Sequence, residues 1–74
     1  MNLFITVHDR EKDIDIELNM STVESYEEAT VVDMDESQHI CIIYRISNGI
    51  RIIEEFSSDS DRESKIAELD EYLA

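Results

Sequence analysis

Basic residues, glycine and cysteine are scarce in this chain of 74 residues, and proline is absent. The single glycine excludes the glycine-rich loops that hold phosphate groups in nucleotide-binding folds. The single cysteine excludes an intramolecular disulfide and agrees with a reducing compartment. With 6 Lys and Arg against 19 Asp and Glu, the net charge is −13. Direct binding to nucleic acid or to an anionic membrane is therefore not expected, since both are polyanions.

Long apolar runs are absent as well. No stretch approaches the roughly 20 apolar residues that cross a membrane, and residues 1–8 lack the basic start and the apolar length of a signal peptide. Yet 42% of the residues are hydrophobic, which favours a globular domain over a disordered chain. We expect residues 1–74 to form one domain, because a chain of this size buries only about 60% of its unfolded surface and cannot divide its core.

The clearest structural signal is a β-hairpin over residues 39–56. Two runs rich in Ile, Tyr and Phe, which suit a pleated sheet, flank the turn-forming residues 47–49. A three-residue loop with Gly49 in the left-handed conformation pairs Tyr44 with Ile52 and gives one nearly continuous apolar face. A two-residue turn mixes apolar and charged side chains on both faces, so we predict the three-residue loop.

This register gives the hairpin two different faces. Arg45 and Arg51 oppose each other on one of them and repel unless an acidic residue, for example from a neighbouring subunit, lies between them. We call that side the half-polar face, and it is expected to contain His39, Cys41, Ile43, Arg45, Arg51, Ile53 and Glu55. The other side, the apolar face, is expected to contain Ile40, Ile42, Tyr44, Ile46, Ile50, Ile52 and Phe56, together with Glu54.

Two further antiparallel strands are predicted before the hairpin, over residues 3–7 and 13–20, with a charged turn at residues 8–12 between them. Residues 13–20 alternate strictly between acidic or polar and apolar side chains, as in a strand with one buried face. The inward residues of the two strands are expected to be Leu3, Ile5, Val7, Ile14, Ile16, Leu18 and Met20.

The segment between these strands and the hairpin allows two interpretations. A capping-box pattern at residues 21–24 favours a short helix over residues 22–29. Alternation after Tyr26 instead favours a strand that pairs with residues 39–46. We predict a capped helical turn or loop followed by a strand over about residues 29–34.

A C-terminal helix is predicted over residues 61–73, beginning with a second capping-box pattern at Ser60. At 3.6 residues per turn, Ile66, Leu69 and Leu73 lie on its inward side, and the opposite side is acidic. Together the elements predict an α+β fold: a small, mostly antiparallel sheet of four to five strands with the C-terminal helix packed on one face.

No set of side chains with catalytic geometry is recognisable in the sequence. His39 and Cys41 share one face of a strand but lie about 6.8 Å apart, without an orienting group or an oxyanion site. Four acidic residues between positions 59 and 70 copy part of a calcium loop, but Ser64 stands where that loop needs glycine. We therefore expect no catalytic, cofactor or metal site, and a binding protein in place of an enzyme.

The acidic residues carry the functional signal. Duplex DNA presents one negative charge per about 1.7 Å of its axis, and a protein groove that binds it is lined with Lys and Arg. A firm β-scaffold with carboxylates about 6.8 Å apart along a strand can occupy such a groove, with electrostatically steered association. We call the nine candidate partner-binding residues the acidic surface; they are Asp13, Asp15, Glu17, Glu24, Glu27, Glu28, Asp33, Asp35 and Glu36.

Three acidic segments within this surface are Asp13-Ile14-Asp15-Ile16-Glu17, Glu24-Ser25-Tyr26-Glu27-Glu28 and Asp33-Met34-Asp35-Glu36. With these segments, the chain resembles the small acidic inhibitors encoded by phages and mobile elements, namely anti-CRISPR and anti-restriction DNA mimics and uracil-DNA glycosylase inhibitors. The resemblance is one of size and composition and transfers no functional residue. It implies a stoichiometric inhibitor that binds the basic nucleic-acid-binding surface of a Cas effector or restriction enzyme in the cytoplasm of a bacterial host.

Other classes remain open. An immunity protein or antitoxin that neutralises a basic nuclease toxin needs only one localised acidic patch. An acidic structural or adaptor subunit inhibits nothing, and a high negative charge can also serve solubility alone.

The half-polar face allows two interpretations. Residues 21–28 can cover it, since large exposed apolar patches are uncommon on monomers. Otherwise the chain is a homodimer or binds a second partner there, through an interface that contains Phe4, Cys41, Ile43 and Ile53.

Overall fold

A computed structural model of the chain, which describes residues 4–73, contains five strands and one α-helix in that range. β1 and β2 form an antiparallel hairpin, whereas β3, β4 and β5 form an antiparallel sheet in that order. The predicted α+β fold is confirmed. The elements are β1 (Phe4–Asp9), β2 (Ile14–Asn19), β3 (Val23–Val32), β4 (Gln38–Ile46), β5 (Arg51–Phe56) and α1 (Asp59–Leu73).

The hairpin formed by β4 and β5 has the predicted register. Tyr44 lies opposite Ile52 in the antiparallel pair. The Ile46 N–H donates to the Ile50 carbonyl oxygen at 2.8 Å and closes the three-residue loop. Gly49 has a φ of +77°, in the left-handed region that side chains other than glycine disfavour.

β3 begins earlier than predicted, so the short helix over residues 22–29 is wrong. Only a single 3-10 turn, Met20–Thr22, precedes the strand, and its cap is the Asn19 side chain, which accepts from the Ser21 N–H at 3.0 Å. All of β3 pairs antiparallel with β4 apart from a bulge near its start. This pairing gives the backbone of β3 its hydrogen-bond partners and outweighs the local capping pattern.

The N-terminal hairpin is confirmed, with Ile5 opposite Leu18. Of its predicted inward residues, Ile14 is 50% exposed at the start of β2, and Leu3 lies outside the described residues. Ile16 is half-buried. The fully inward residues are Ile5, Val7, Leu18 and Met20.

The connection between β1 and β2 is shorter than predicted, because His8 and Asp9 continue β1 and the turn spans residues 10–13. Asp9 is buried, and its Oδ1 atom accepts from the Glu11 N–H at 3.0 Å. The Asp13 N–H donates to the Asp9 carbonyl oxygen at 2.8 Å, and Asp13 has a φ of +54°. Asp tolerates this left-handed conformation better than most residues, which suits it to the turn.

The helix α1 begins two residues earlier than predicted. Its cap is Ser58, whose Oγ atom accepts from the Asp61 N–H at 3.1 Å, so the assignment of Ser60 as the cap is wrong. Leu69 is fully buried and Ile66 packs against the core, as the helical spacing predicts. The predicted inward position of Leu73 cannot be compared, because its side chain lies outside the described part of the structure. No helix within residues 4–73 is long and apolar enough to cross a membrane.

The hydrophobic core lies on the apolar face of the β4–β5 hairpin. The helix and the N-terminal hairpin both contribute to this core, so they cover the same side of the three-stranded sheet. The buried cluster consists of Ile5, Val7, Leu18, Met20, Val23, Ile42, Tyr44, Ile52 and Leu69.

The turn at residues 10–13 lies against the half-polar face. The Arg10 N–H donates to the Ile53 carbonyl oxygen at 2.9 Å, and the Arg10 side chain forms ion pairs on the same side. Residues 21–28 do not cover this face, because most of them belong to β3, a strand of the same sheet. Cys41 is fully buried and Ile53 is 5% exposed, so neither offers surface to a partner.

Candidate partner-binding surface

The nine residues of the acidic surface fall into three groups in the structure. Eight of them are exposed and Asp33 is half-buried. The groups are Asp13, Asp15 and Glu17 on β2 and its preceding turn; Glu24, Glu27 and Glu28 on β3; and Asp33, Asp35 and Glu36 in the connection between β3 and β4.

The β3 group is divided between the two faces of the sheet. Glu27 lies opposite Ile43 on the half-polar face, whereas Glu28 lies opposite Ile42 on the apolar, helix-bearing face. Successive side chains of a strand point to opposite faces, so these neighbours in sequence do not form one patch.

All four arginines pair with carboxylates of the same chain. Glu27 Oε1 lies 2.5 Å from an Arg45 nitrogen, and Glu11 Oε1 lies 3.7 Å from Arg51 Nε. Carboxylates of the same chain therefore offset the repulsion expected between Arg45 and Arg51, and no neighbouring subunit is needed for this. The remaining pairs join Arg10 to Asp33 and Glu55, and Arg62 to Glu28 and Asp59.

Arg10 also brings two connections of the chain together. Its Nη2 atom lies 3.4 Å from Asp33 Oδ2, and its Nε atom lies 3.2 Å from Glu55 Oε1. His39 lies between the same two carboxylates, with Nδ1 2.5 Å from Glu55 and Nε2 2.6 Å from Asp33. We call Arg10, Asp33, His39 and Glu55 the histidine cluster.

The histidine cluster changes the acidity of its members. The hydrogen bond with Glu55 and then that with Asp33 hold the pKa of His39 above its usual range. The Arg10 guanidinium, followed by His39, holds the pKa of the Asp33 carboxyl below its usual range. Part of the negative charge at this end of the acidic surface is thus compensated locally.

His8 has a similar position in the β2 group. The turn predicted at residues 8–12 included His8, but the residue lies on β1, with Nδ1 2.7 Å from Asp15 and Nε2 3.0 Å from Asp13. The side chain is still half-exposed. The hydrogen bonds with Asp15 and Asp13 raise the pKa of His8, so the local charge of the acidic surface varies with pH.

The turn formed by residues 33–37 is fixed by its own hydrogen bonds. The Asp33 N–H donates to the Ser37 carbonyl oxygen at 3.0 Å, and the Ser37 N–H donates to Asp35 Oδ1 at 3.0 Å. Glu36 takes a left-handed φ of +69°. Met34 is fully exposed, so the turn presents an apolar side chain among carboxylates.

A second acidic region, which was not predicted, lies where side chains of α1 reach β3. Arg62 approaches Glu28 to 3.7 Å and Asp59 to 3.2 Å, and it donates to the Ala29 carbonyl oxygen at 3.2 Å. Arg62 precedes Ile66 by four residues and so lies on the inward side of the helix, which could have suggested such a contact.

On the same side, the Tyr26 hydroxyl donates to Asp70. That hydrogen bond raises the pKa of Tyr26 to about 12. Carboxylates of β3 and of the helix therefore come together through one arginine and one tyrosine.

Among the described residues, Cys41 and Glu54 also have altered acidity. Burial raises the pKa of the Cys41 thiol, which disfavours the reactive thiolate, and both ring nitrogens of His39 face carboxylates. Partial burial also raises the pKa of Glu54, which accepts from the Tyr44 hydroxyl at 2.6 Å beside the core. This pair satisfies a carboxylate and a hydroxyl that the apolar face would otherwise bury alone.

No group of three or more His, Cys, Asp or Glu side chains in the described part of the chain is arranged to hold a metal ion. The acidic residues with partial calcium-loop spacing lie on the helix α1; they are Asp59, Asp61, Glu63 and Asp70.

Comparisons of the chain with protein-family models, with curated proteins and with solved structures find no match in any of the three. The resemblance to phage-type inhibitors therefore stays a prediction from size, composition and the three acidic segments.

Proposed function

We propose that this protein is a stoichiometric inhibitor that binds, through its acidic surface, the basic nucleic-acid-binding surface of another protein. Cas effectors and restriction enzymes are the first candidate targets. The proposed activity is binding alone and needs neither a catalytic group nor a cofactor.

The observation that carries the proposal is the distribution of charge partners. Every arginine is engaged by carboxylates of its own chain, and the net charge of −13 leaves a large surplus of carboxylates. Of the five glutamates in the acidic surface, Glu17, Glu24 and Glu36 are exposed and have no cationic side chain of residues 4–73 within ion-pair distance. These three carboxylates are free to meet cations of a partner.

The backbone positions of these carboxylates are fixed before binding. Glu17 lies on β2 opposite Thr6 of β1, and Glu36 lies in the hydrogen-bonded turn. Glu24 lies at the bulge near the start of β3. A fixed set of charges loses less conformational freedom on association than a disordered acidic tail.

The charge also predicts how association depends on salt. Attraction between an acidic protein and a basic groove is long-ranged, and ions screen it beyond about 8 Å at physiological ionic strength. Inhibition should therefore weaken steeply as salt increases, chiefly through a slower association rate.

The test is competition for DNA. A labelled cognate duplex is bound to a restriction enzyme or to a guide-loaded Cas effector, and the acidic protein is titrated at low and at high salt. We expect displacement of the duplex at near-equimolar protein, with weaker displacement at high salt. Absence of displacement from a panel of such enzymes contradicts the proposal, and neutralisation of a nuclease toxin without such displacement assigns the protein to the immunity class.

A further inference from the structure

The histidine cluster joins residues from four structural elements. Arg10 comes from the turn between β1 and β2, Asp33 from the connection that follows β3, His39 from β4 and Glu55 from β5. The two cations and the two carboxylates alternate, so that each carboxylate contacts both cations. The cluster thereby holds the turn at residues 33–37 to β5 and to the N-terminal hairpin.

The two cations of the cluster differ in their contacts. The distances from His39 nitrogens to Glu55 and Asp33 are 2.5 and 2.6 Å, whereas those from Arg10 are 3.2 and 3.4 Å. Arginine stays charged at all ordinary pH values, but a neutral imidazole keeps only one N–H. After loss of a proton, one ring nitrogen of His39 presents its lone pair to a carboxylate, and that contact becomes repulsive.

The other polar groups around His39 act in the same direction. The Ser37 hydroxyl lies 3.1 Å from Nε2 and also donates to Asp35 Oδ1 at 2.6 Å, which brings a third carboxylate close to the ring. Cys41, two residues along the strand, is a buried thiol whose pKa is raised. Apart from Arg10, the charged groups that face His39 are therefore acidic.

We infer that His39 is a proton-controlled clamp on the acidic turn formed by residues 33–37. When protonated, it holds Asp33, at the base of the turn, to Glu55 of β5. When neutral, it keeps only one of these contacts, and Arg10 alone bridges the two carboxylates. The turn that carries Met34, Asp35 and Glu36 keeps its internal hydrogen bonds but then gains freedom to move relative to β5.

The direction of the pH effect follows from the proximity of the carboxylates. They raise the pKa of His39 above 6.5 in the folded protein. His39 is therefore protonated, and the clamp is closed, at pH values below this raised pKa. It opens as pH rises through the raised pKa of His39. Its effect on partner binding rests on the proposed function, whereas the clamp itself is a property of the isolated protein.

The experiment is an NMR titration of the isolated protein across the range in which histidines change charge, from about pH 5.5 to 9. We expect the His39 ring to titrate with a midpoint above 6.5. We also expect the backbone N–H signals of Asp33, Glu36 and Ser37 to shift with the same midpoint. A His39 midpoint at or below 6.5, or turn signals that do not follow it, overturns the inference.

Three variants sharpen this titration. His39→Gln should abolish the pH response of the turn, and Glu55→Gln should lower the His39 midpoint because one carboxylate partner is lost. Glu36→Gln is the matched control, since Glu36 lies in the same turn and forms no ion pair with His39; it should leave the midpoint unchanged. If His39→Gln does not fold, the wild-type signals and the His39 midpoint in Glu55→Gln still show whether the turn follows the protonation of His39.

The outcome for the clamp is separable from that for the inhibitor. A His39 titration that the turn follows, in a protein that displaces no DNA, supports the clamp and contradicts the proposed function. Displacement of DNA by a protein whose turn does not follow the His39 titration supports the proposed function and contradicts the clamp.

Discussion

On the apolar face of the β4–β5 hairpin, Ile42, Tyr44 and Ile52 are buried in one core with the helix and the N-terminal hairpin. On the half-polar face, Cys41 and Ile53 are buried beside a turn that the ion pairs of Arg10 help to hold. Burial of apolar surface depends little on pH, whereas ion pairs weaken with salt and with changes of protonation. In this acidic chain, stability should therefore come mainly from one face and sensitivity to solution conditions from the other.

The largest expected effect concerns the apolar face. Leu69→Ala leaves a cavity beneath the helix, where Leu69 is fully buried, and should lower the free energy of unfolding by about 2–5 kcal/mol. Urea unfolding should give nearly the same loss at low and high salt. Ile14→Ala is the control, because Ile14 is 50% exposed, and should change stability by no more than about 0.5 kcal/mol. Equal losses for the two variants contradict this assignment of the core.

The next effect concerns the polar pair inside that core. Tyr44→Phe removes the hydroxyl that donates to Glu54 and should cost about 1–3 kcal/mol, because a half-buried carboxylate loses its donor. Tyr72→Phe is a matched control, since no described residue accepts a hydrogen bond from Tyr72. Burial raises the pKa of Glu54, so the Glu54 contribution to stability should fall as pH rises above 4.5 in urea titrations.

A smaller effect is expected at the loop that sets the register and so separates the two faces. Gly49→Ala should cost about 1–2 kcal/mol, because Gly49 has a φ of +77°. An added Cβ atom meets no heavy atom within 4 Å, so only the backbone conformation is penalised. Gly49→Asn should cost less in the same thermal unfolding measurement, since Asn tolerates this conformation. Equal costs for Ala and Asn contradict the explanation.

The smallest effect belongs to the half-polar face. The raised pKa values of His39 and His8 predict that the melting temperature decreases as pH rises above 6.5. His39→Gln should remove the part of this decrease in melting temperature that comes from the histidine cluster. His8→Gln should leave that part unchanged. A wild-type melting temperature that rises over the same pH range contradicts the assigned ion pairs.

The hairpin and the helix could be predicted because their signals are local and periodic. One glycine between two apolar runs determined the β4–β5 register, and Ile66 and Leu69 follow a 3.6-residue period. β3 could not be delimited, because the capping-box pattern at residues 21–24 is local whereas pairing with β4 is not. Its backbone hydrogen bonds depend on a strand that begins at Gln38.

The sequence was sufficient to name the exposed acidic residues, but not to predict which of them lie close together or form ion pairs. The contact between Arg10 and Asp33 joins residues that no sequence period relates. One signal was present, since the predicted register, which pairs Tyr44 with Ile52, also pairs Cys41 with Glu55. Glu55 is thereby placed diagonal to His39 across the two strands. Diagonal neighbours on one face are within reach of long side chains, so this part of the histidine cluster could have been found.

The most direct test of the proposed inhibitor compares two triple variants in the DNA displacement assay. Each exchange of Glu for Lys adds two charges, so both variants have a net charge of −7 in place of −13. The first changes the exposed carboxylates of the acidic surface, and the second changes exposed carboxylates of the helix. The first variant changes Glu17, Glu24 and Glu36. The second changes Glu63, Glu68 and Glu71.

At one salt concentration, the first variant should lose displacement of DNA from the target, because cations replace carboxylates of the proposed binding surface. The second should displace DNA nearly as well as the wild-type protein. Equal losses in the two variants contradict a defined acidic binding surface and indicate that only the total charge matters.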